Sequence, residues 1–210
     1  MELILSLIII LFSAILHEVA HGYVADRLGD PTARLAGRLT LDPRRHIDPF
    51  MSILLPLILV LSGLPVIGAA KPVPVDPFNL KEGRKDMALV SLAGPLTNIV
   101  IAIIASFLIK FLFLVSDGSI LIFTIVMFLK IVVQLNLLLA IFNLIPIPPL
   151  DGSKIFALIL PEDTANAYLA LGSIGMFIIL FLLFFPLGGF SLGHLIFNTL
   201  LPFAVNLLIP

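Results

Sequence analysis

Cysteine and tryptophan are absent from this 210-residue chain, tyrosine occurs twice, and 12% of residues carry a formal charge. Without cysteine there is no disulfide framework and no thiolate metal site, so any metal must be held by histidine and carboxylate. The shortage of Trp and Tyr removes the aromatic belt that marks membrane interfaces in many proteins. The net charge is −1, and no basic tail or run points to nucleic acid as a partner. What fills the chain instead is apolar: 60% of residues are hydrophobic and the mean hydropathy is +1.20. Soluble domains are about 45–50% apolar on a slightly wider residue set that includes glycine. The composition is that of an all-α, polytopic integral membrane protein. Its length suits one membrane-embedded domain over 1–210, with no separate soluble domain.

Apolar runs predict helices over 2–28, 86–115, 120–142, 152–160, 168–185 and 191–208, and Pro161-Glu162-Asp163 reads as a turn. About five of them are long enough to span. Glu2 follows Met1 where a signal peptide would be basic, and no small-x-small cleavage site follows, so the first run reads as a retained transmembrane helix. Residues 50–70 are apolar but broken by Pro56 and by Ser62-Gly63-Leu64-Pro65. Arg34, Arg38, Arg44 and Arg45 precede this stretch, and Lys71, Lys81, Arg84 and Lys85 follow it. The positive-inside rule puts both flanks in the cytoplasm. Residues 50–70 therefore read as a re-entrant or interfacial hairpin, with six spans if they cross after all. Leu39-Thr40-Leu41-Asp42-Pro43 reads as the end of a short strand. Lys71-Pro72-Val73-Pro74-Val75-Asp76-Pro77 cannot be helical. It is either a plain loop or an edge open to β-addition by a partner strand. Lys110 and Lys130 are expected to snorkel, Gln134 and Asn136 to hydrogen-bond between helices, and the small residues Ala93 and Gly94 to permit close helix contact.

Inside the first run stands His17-Glu18-Val19-Ala20-His21. Residues four apart share a helix face, so His17 and His21 can offer two imidazoles to one metal ion, with Glu18 beside them as general base. Composition alone produces this pattern in only about one chain in several hundred. Ionisable groups at membrane depth are costly unless paired or coordinated. A catalytic zinc usually has three protein ligands. The third is best sought at Asp151, which follows the proline-broken stretch Asn143-Leu144-Ile145-Pro146-Ile147-Pro148-Pro149-Leu150. Asp151 is either a ligand or the N-cap of the helix that begins beside it. With zinc supplying the Lewis acid, Glu18 would move the proton of the attacking water. Asn143 is the first candidate for an oxyanion donor and Asn98 the second; Asn143 could equally close its helix as a C-cap. His46 reads as a local hydrogen-bonder, its role otherwise open, and His194 is given none. The charge rule and the metal reading agree: with a hairpin that does not cross, the His pair and Asp151 both arrive near the cytoplasmic face.

Together, His17-Glu18-x-x-His21, Ala93-Gly94-Pro95-Leu96-Thr97-Asn98 and Asn143-x-x-Pro146-x-x-Pro149-Leu150-Asp151-Gly152 resemble the site-2 protease family of intramembrane zinc metalloproteases. The resemblance runs from the first helix to about Leu160. It is similar to a small subgroup without PDZ or CBS domains that carries His46-x-Asp48-Pro49 and the apolar insert. It implies a three-helix core over about 2–28, 86–115 and 120–160. It also implies one zinc per chain on His17, His21 and Asp151, Glu18 as acid–base, and Asn143 in substrate or transition-state handling. The implied substrates are transmembrane segments of other membrane proteins, cut within a lipid bilayer, here expected to be a prokaryotic cell membrane. A homo-oligomer is compatible with this reading. A transporter or metal-ion permease would need polar residues at successive depths, whereas here they cluster at one. An inactive scaffold would be expected to lack some of the motif residues.

Overall fold

A computed structural model describes residues 2–49, 70–115, 118–186, 188–189 and 191–209, with Leu54, Ile58 and Leu61 as isolated positions. All regular structure among these residues is helical. The hairpin expected over 50–70 falls, except for its last residue, on or between positions outside the described set. Contacts divide the chain into residues 1–94 and 95–210.

In the first unit, helix α1 runs Glu2–Leu28, as its nearly unbroken Leu and Ile predict. Gly29 ends it in the left-handed region at φ 117°. The Asp30 N–H then bonds the Ala25 carbonyl at 2.9 Å, a Schellman closure. Asp30 is fully buried and gathers the loops beyond α1. Its carboxylate accepts from the Thr32 hydroxyl, from the Thr32 N–H at 3.1 Å, from the Asn79 amide at 3.0 Å and from the Asp76 N–H at 2.7 Å. Burial raises its pKa, but these donors outweigh burial and hold the carboxyl below the ordinary value. A short helix α2, Thr32–Leu35, follows. The strand expected to end at 43 does not form. Asp42 instead accepts from the Arg44 N–H at 3.1 Å and caps a 3₁₀ turn, Pro43–Arg45. Ala25, Leu80 and Val90 form a small core with Val75 and Met87 against it.

Helix α3, Arg84–Leu114, carries Pro95 inside it and passes through the boundary between the units. In the second unit, α4 runs Ile120–Asn143, with Ser119 capping it through the Ile122 N–H at 3.3 Å. Ala102, Ala105 and Ile109 of α3 pack on Val126, Val133 and Leu137 of α4, with Leu201 and Val205 of the last helix against them. The Asn136 amide donates to Val132 of its own helix at 2.9 Å and, among the described residues, not to a neighbouring helix.

After the proline stretch come α5 (Asp151–Phe156), α6 (Glu162–Leu169) and α7 (Gly172–Phe184). Helix α6 begins where a turn was expected at 161–163, so Tyr168 belongs to α6 and not to the next apolar helix. Its hydroxyl donates to the Pro146 carbonyl at 2.7 Å and pins the irregular segment. Helix α8, Leu192–Leu208, contains a π-helical turn at Ile196–Leu200. Among the described residues three helices are long and apolar enough to cross a membrane: Leu3–Leu28, Arg84–Leu114 and Ile120–Asn143. A fourth is added if α6 and α7 act as one bent span. The expected count of five also takes in α8. The chain is an integral membrane protein.

Candidate metal centre

His17 and His21 sit one turn apart on α1, and both are buried. Their Nε2 atoms face each other at 2.9 Å, with the rings edge to face at 86°. His21 Nδ1 lies 2.6 Å from the Val90 carbonyl on α3. A carbonyl only accepts, so Nδ1 carries the proton and the Nε2 lone pair is the one presented. This is the outer hydrogen bond that metal-binding histidines usually make.

Gly94, one turn beyond Val90, completes the cradle. A Cβ built there would lie 2.5 Å from His17 Cε1, His17 Nε2 and His21 Nε2. No side chain fits without displacing the imidazoles. Two convergent Nε2 atoms, one tautomer fixed from behind and a bare backbone in front suit an ion such as zinc. Glu18, half-buried on the same helix, accepts the Val73 N–H on Oε2 at 2.7 Å.

The other proposed residues lie in the second unit. Asp151 is the first residue of α5 and is 7% exposed. The N-cap position belongs to Leu150, so Asp151 is not the cap that its neighbouring helix allowed. Lys154 Nζ lies 3.5 Å from its carboxylate. Gly152 is required beside it, because a Cβ would collide with the Leu144 carbonyl. Asn143 is the last residue of α4, and Leu144 takes the C-cap place. The Asn143 amide donates to Leu139 at 3.0 Å. Asn98 is fully buried, and neither of its amide atoms has a hydrogen-bond partner among the described residues.

Comparison with known proteins decides the family. The model for "Peptidase family M50" matches residues 5–186. The chain belongs to peptidase family M50. This is the site-2 protease family of zinc metalloproteases. "Putative zinc metalloprotease YwhC" of Bacillus subtilis is 38% identical over 90% of this chain and 83% of its own length. "Putative zinc metalloprotease Rip2" of Mycobacterium tuberculosis is 36% identical over 82% of this chain and 62% of its own. The protein of that name from Mycolicibacterium smegmatis is 30% identical over 84% and 65%. No solved structure matches.

In this M50 peptidase His46 is the local hydrogen-bonder the sequence suggested: it is fully buried, and its Nε2–H donates to the Thr40 carbonyl at 2.8 Å. His194 accepts from the Asn198 amide at 2.9 Å on its own helix. Sequence reasoning missed Val73 and Val90, which act through the backbone. It read Gly94 only as a small residue for close helix contact. The proline-rich segment 71–76 has few backbone donors, and three of them are engaged. The Lys71 N–H donates to the His46 carbonyl at 2.8 Å, Val73 to Glu18 and Asp76 to Asp30. That leaves the Val75 N–H uncommitted in these contacts, and among the described residues the segment is a loop rather than a strand.

Proposed function

We propose that this M50 peptidase hydrolyses peptide bonds in or beside transmembrane segments of other membrane proteins, and that its 210 residues work as one membrane-embedded domain. The observation that carries the reading is the imidazole pair: two Nε2 atoms 2.9 Å apart in front of a glycine, inside a helix long enough to span. In this reading His17, His21 and Asp151 hold one zinc ion per chain. Supporting Asp151 is its burial at the end of a proline-broken apolar segment, where a carboxylate needs a cation. The Lys154 ammonium at 3.5 Å is a long partner for it.

Bound zinc would polarise the scissile carbonyl and bring the pKa of a water towards neutrality. Glu18 takes the proton of the attacking water and delivers it to the leaving amine. With Oε2 held by Val73, Oε1 is the oxygen left for that proton. Asn143 donates to the developing oxyanion through the N–H it does not spend on Leu139, and Asn98 is the alternative candidate for that role. The chemistry lies nearer the cytoplasmic face in this reading, which is supported by the arginines at 34, 38, 44 and 45 that follow the end of α1 bearing the histidines.

The test is elemental analysis of the detergent-purified chain beside Asp151→Ala and the double His17→Ala/His21→Ala. About one zinc per chain, lost in both variants, is expected, with Glu18→Gln keeping zinc and trapping uncut substrate. Absence of zinc from folded protein given the metal would sink the reading. Zinc kept by Asp151→Ala would remove Asp151 from the ligand set.

A further inference from the structure

The non-helical segment 71–76 is held to the first unit at four points. At one end the Arg38 guanidinium donates to the Lys71 carbonyl at 2.7 Å, and the Lys71 N–H is donated to His46 at 2.8 Å. At the other end the Asp76 N–H is donated to the buried Asp30 carboxylate at 2.7 Å. Between these anchors Val73 and Val75 face the first unit's interior. Val73 is 7% exposed and seats on Gly22, where a Cβ would come within 2.8 Å of its Cγ1. Val75 packs on the Ala25 cluster. Glu18 and Gly22 are four residues apart and share one face of α1. Val73 therefore meets that face twice, through its side chain on Gly22 and through its N–H on Glu18. Pro72 and Pro74 on either side have no N–H to give and restrict the backbone around it.

We propose that segment 71–76 is a positioning strap for the catalytic base: the Val73 N–H fixes the Glu18 carboxylate, and Arg38 and Asp30 hold the strap's two ends. The proposal rests on Glu18 being the base. A glutamate carboxylate on three flexible torsions is a poor base until one oxygen is tied, and misplacement by about 1 Å can cost about a hundredfold in rate. Val73, Arg38 and Asp30 act through Glu18 and touch no substrate.

Two measurements on the full chain in dodecyl maltoside test it. The first is hydrogen exchange at the Val73 amide of metal-free protein, read by mass spectrometry with fragmentation. Glu18→Ala is expected to speed that exchange about tenfold or more, the loss of one charge-assisted hydrogen bond. Unchanged exchange overturns the proposal whatever the activity. The second is cleavage of fluorescein-labelled casein, with Glu18→Gln setting the background. Val73→Pro removes the N–H, and Val73→Ala keeps it. Val73→Pro is expected to lose at least about tenfold in kcat, with KM within about twofold and zinc content intact. Val73→Ala is expected to retain most of the rate. Arg38→Ala should fall in the same way and Arg38→Lys recover part of it. Wild-type kcat in Val73→Pro, while Glu18→Gln is inactive, overturns the strap and leaves the base standing. Full activity in Glu18→Gln overturns the base, and with it the strap's catalytic role, even if the exchange result shows the contact.

Discussion

Replacing Gly94 with alanine adds one methyl group at the most crowded point of the metal cradle. The Cβ would stand 2.5 Å from three imidazole atoms, where ordinary van der Waals contact begins at 3.4 Å. The difference of about 1 Å must be taken up by the rings or by α3. Metal–ligand distances tolerate about 0.2 Å. The imidazoles cannot retreat by that much and still converge, because His21 is tied to Val90 at 2.6 Å. Helix stability moves the other way: alanine in a helix interior gains about 1 kcal/mol over glycine. Overpacking costs about 1–3 kcal/mol. The net change in stability is therefore small, at most about 2 kcal/mol, while zinc affinity falls about a hundredfold or more. The assay is zinc per chain after dialysis against a graded chelator, with thermal unfolding followed by circular dichroism on the same samples. A folded Gly94→Ala protein with wild-type zinc affinity would refute the reasoning, since it would show that the histidines do not converge on an ion in front of this residue.

Three further outcomes are expected. Asp30 has a folded pKa below its unfolded value of about 4, so its stabilisation is present above that pH and disappears as pH falls through the folded pKa. Asp30→Asn should therefore lower stability at neutral pH by about 1–3 kcal/mol and flatten the acid limb, as read by thermal unfolding at pH 3 to 7; an unchanged acid limb would contradict the hydrogen-bond origin of the shift. Gly152→Ala drives a Cβ into backbone carbonyls at Leu144 and Ile145 and should destabilise by at least about 1–3 kcal/mol, visible as a lower Tm in detergent. Because the chain has no cysteine, single replacements at Arg44 and Ile120 give clean labelling sites. Intact cells should expose Ile120→Cys and not Arg44→Cys to a membrane-impermeant maleimide, whereas labelling of both from one side would mean that residues 50–70 cross.

The features visible in the sequence are those that a residue's own chemistry announces. Helix α1 was legible to both ends because an unbroken apolar run meets Gly29-Asp30-Pro31, and the i, i+4 histidines follow from helix geometry alone. The helical start at Glu162 was read as a turn from Pro161-Glu162-Asp163, although acids in a first turn favour the helix dipole and proline leads into it. Asp42 was read as closing a strand, yet Asp before Pro-Arg-Arg caps a 3₁₀ turn as readily. The contacts that complete the first unit's part of the site were not legible. The Val90 carbonyl and the Val73 N–H are peptide groups, identical at every position, and nothing in a valine says that its backbone will face a histidine or a glutamate 69 or 55 residues away. Gly94 was legible as small but not as adjacent to the rings, because adjacency comes from α1 meeting α3.

The bond from His21 to Val90 also bears on how a polypeptide could reach the histidines. It spans from α1 to α3 at the level of the ring pair, and it is the same bond that aims the ring. Any route for a bulky chain that parted these two helices at this height would turn His21 away from its partner as the door opened. Entry and a correctly aimed imidazole are mutually exclusive along that path, so a polypeptide substrate of the proposed kind would have to arrive without breaking the contact between His21 and Val90.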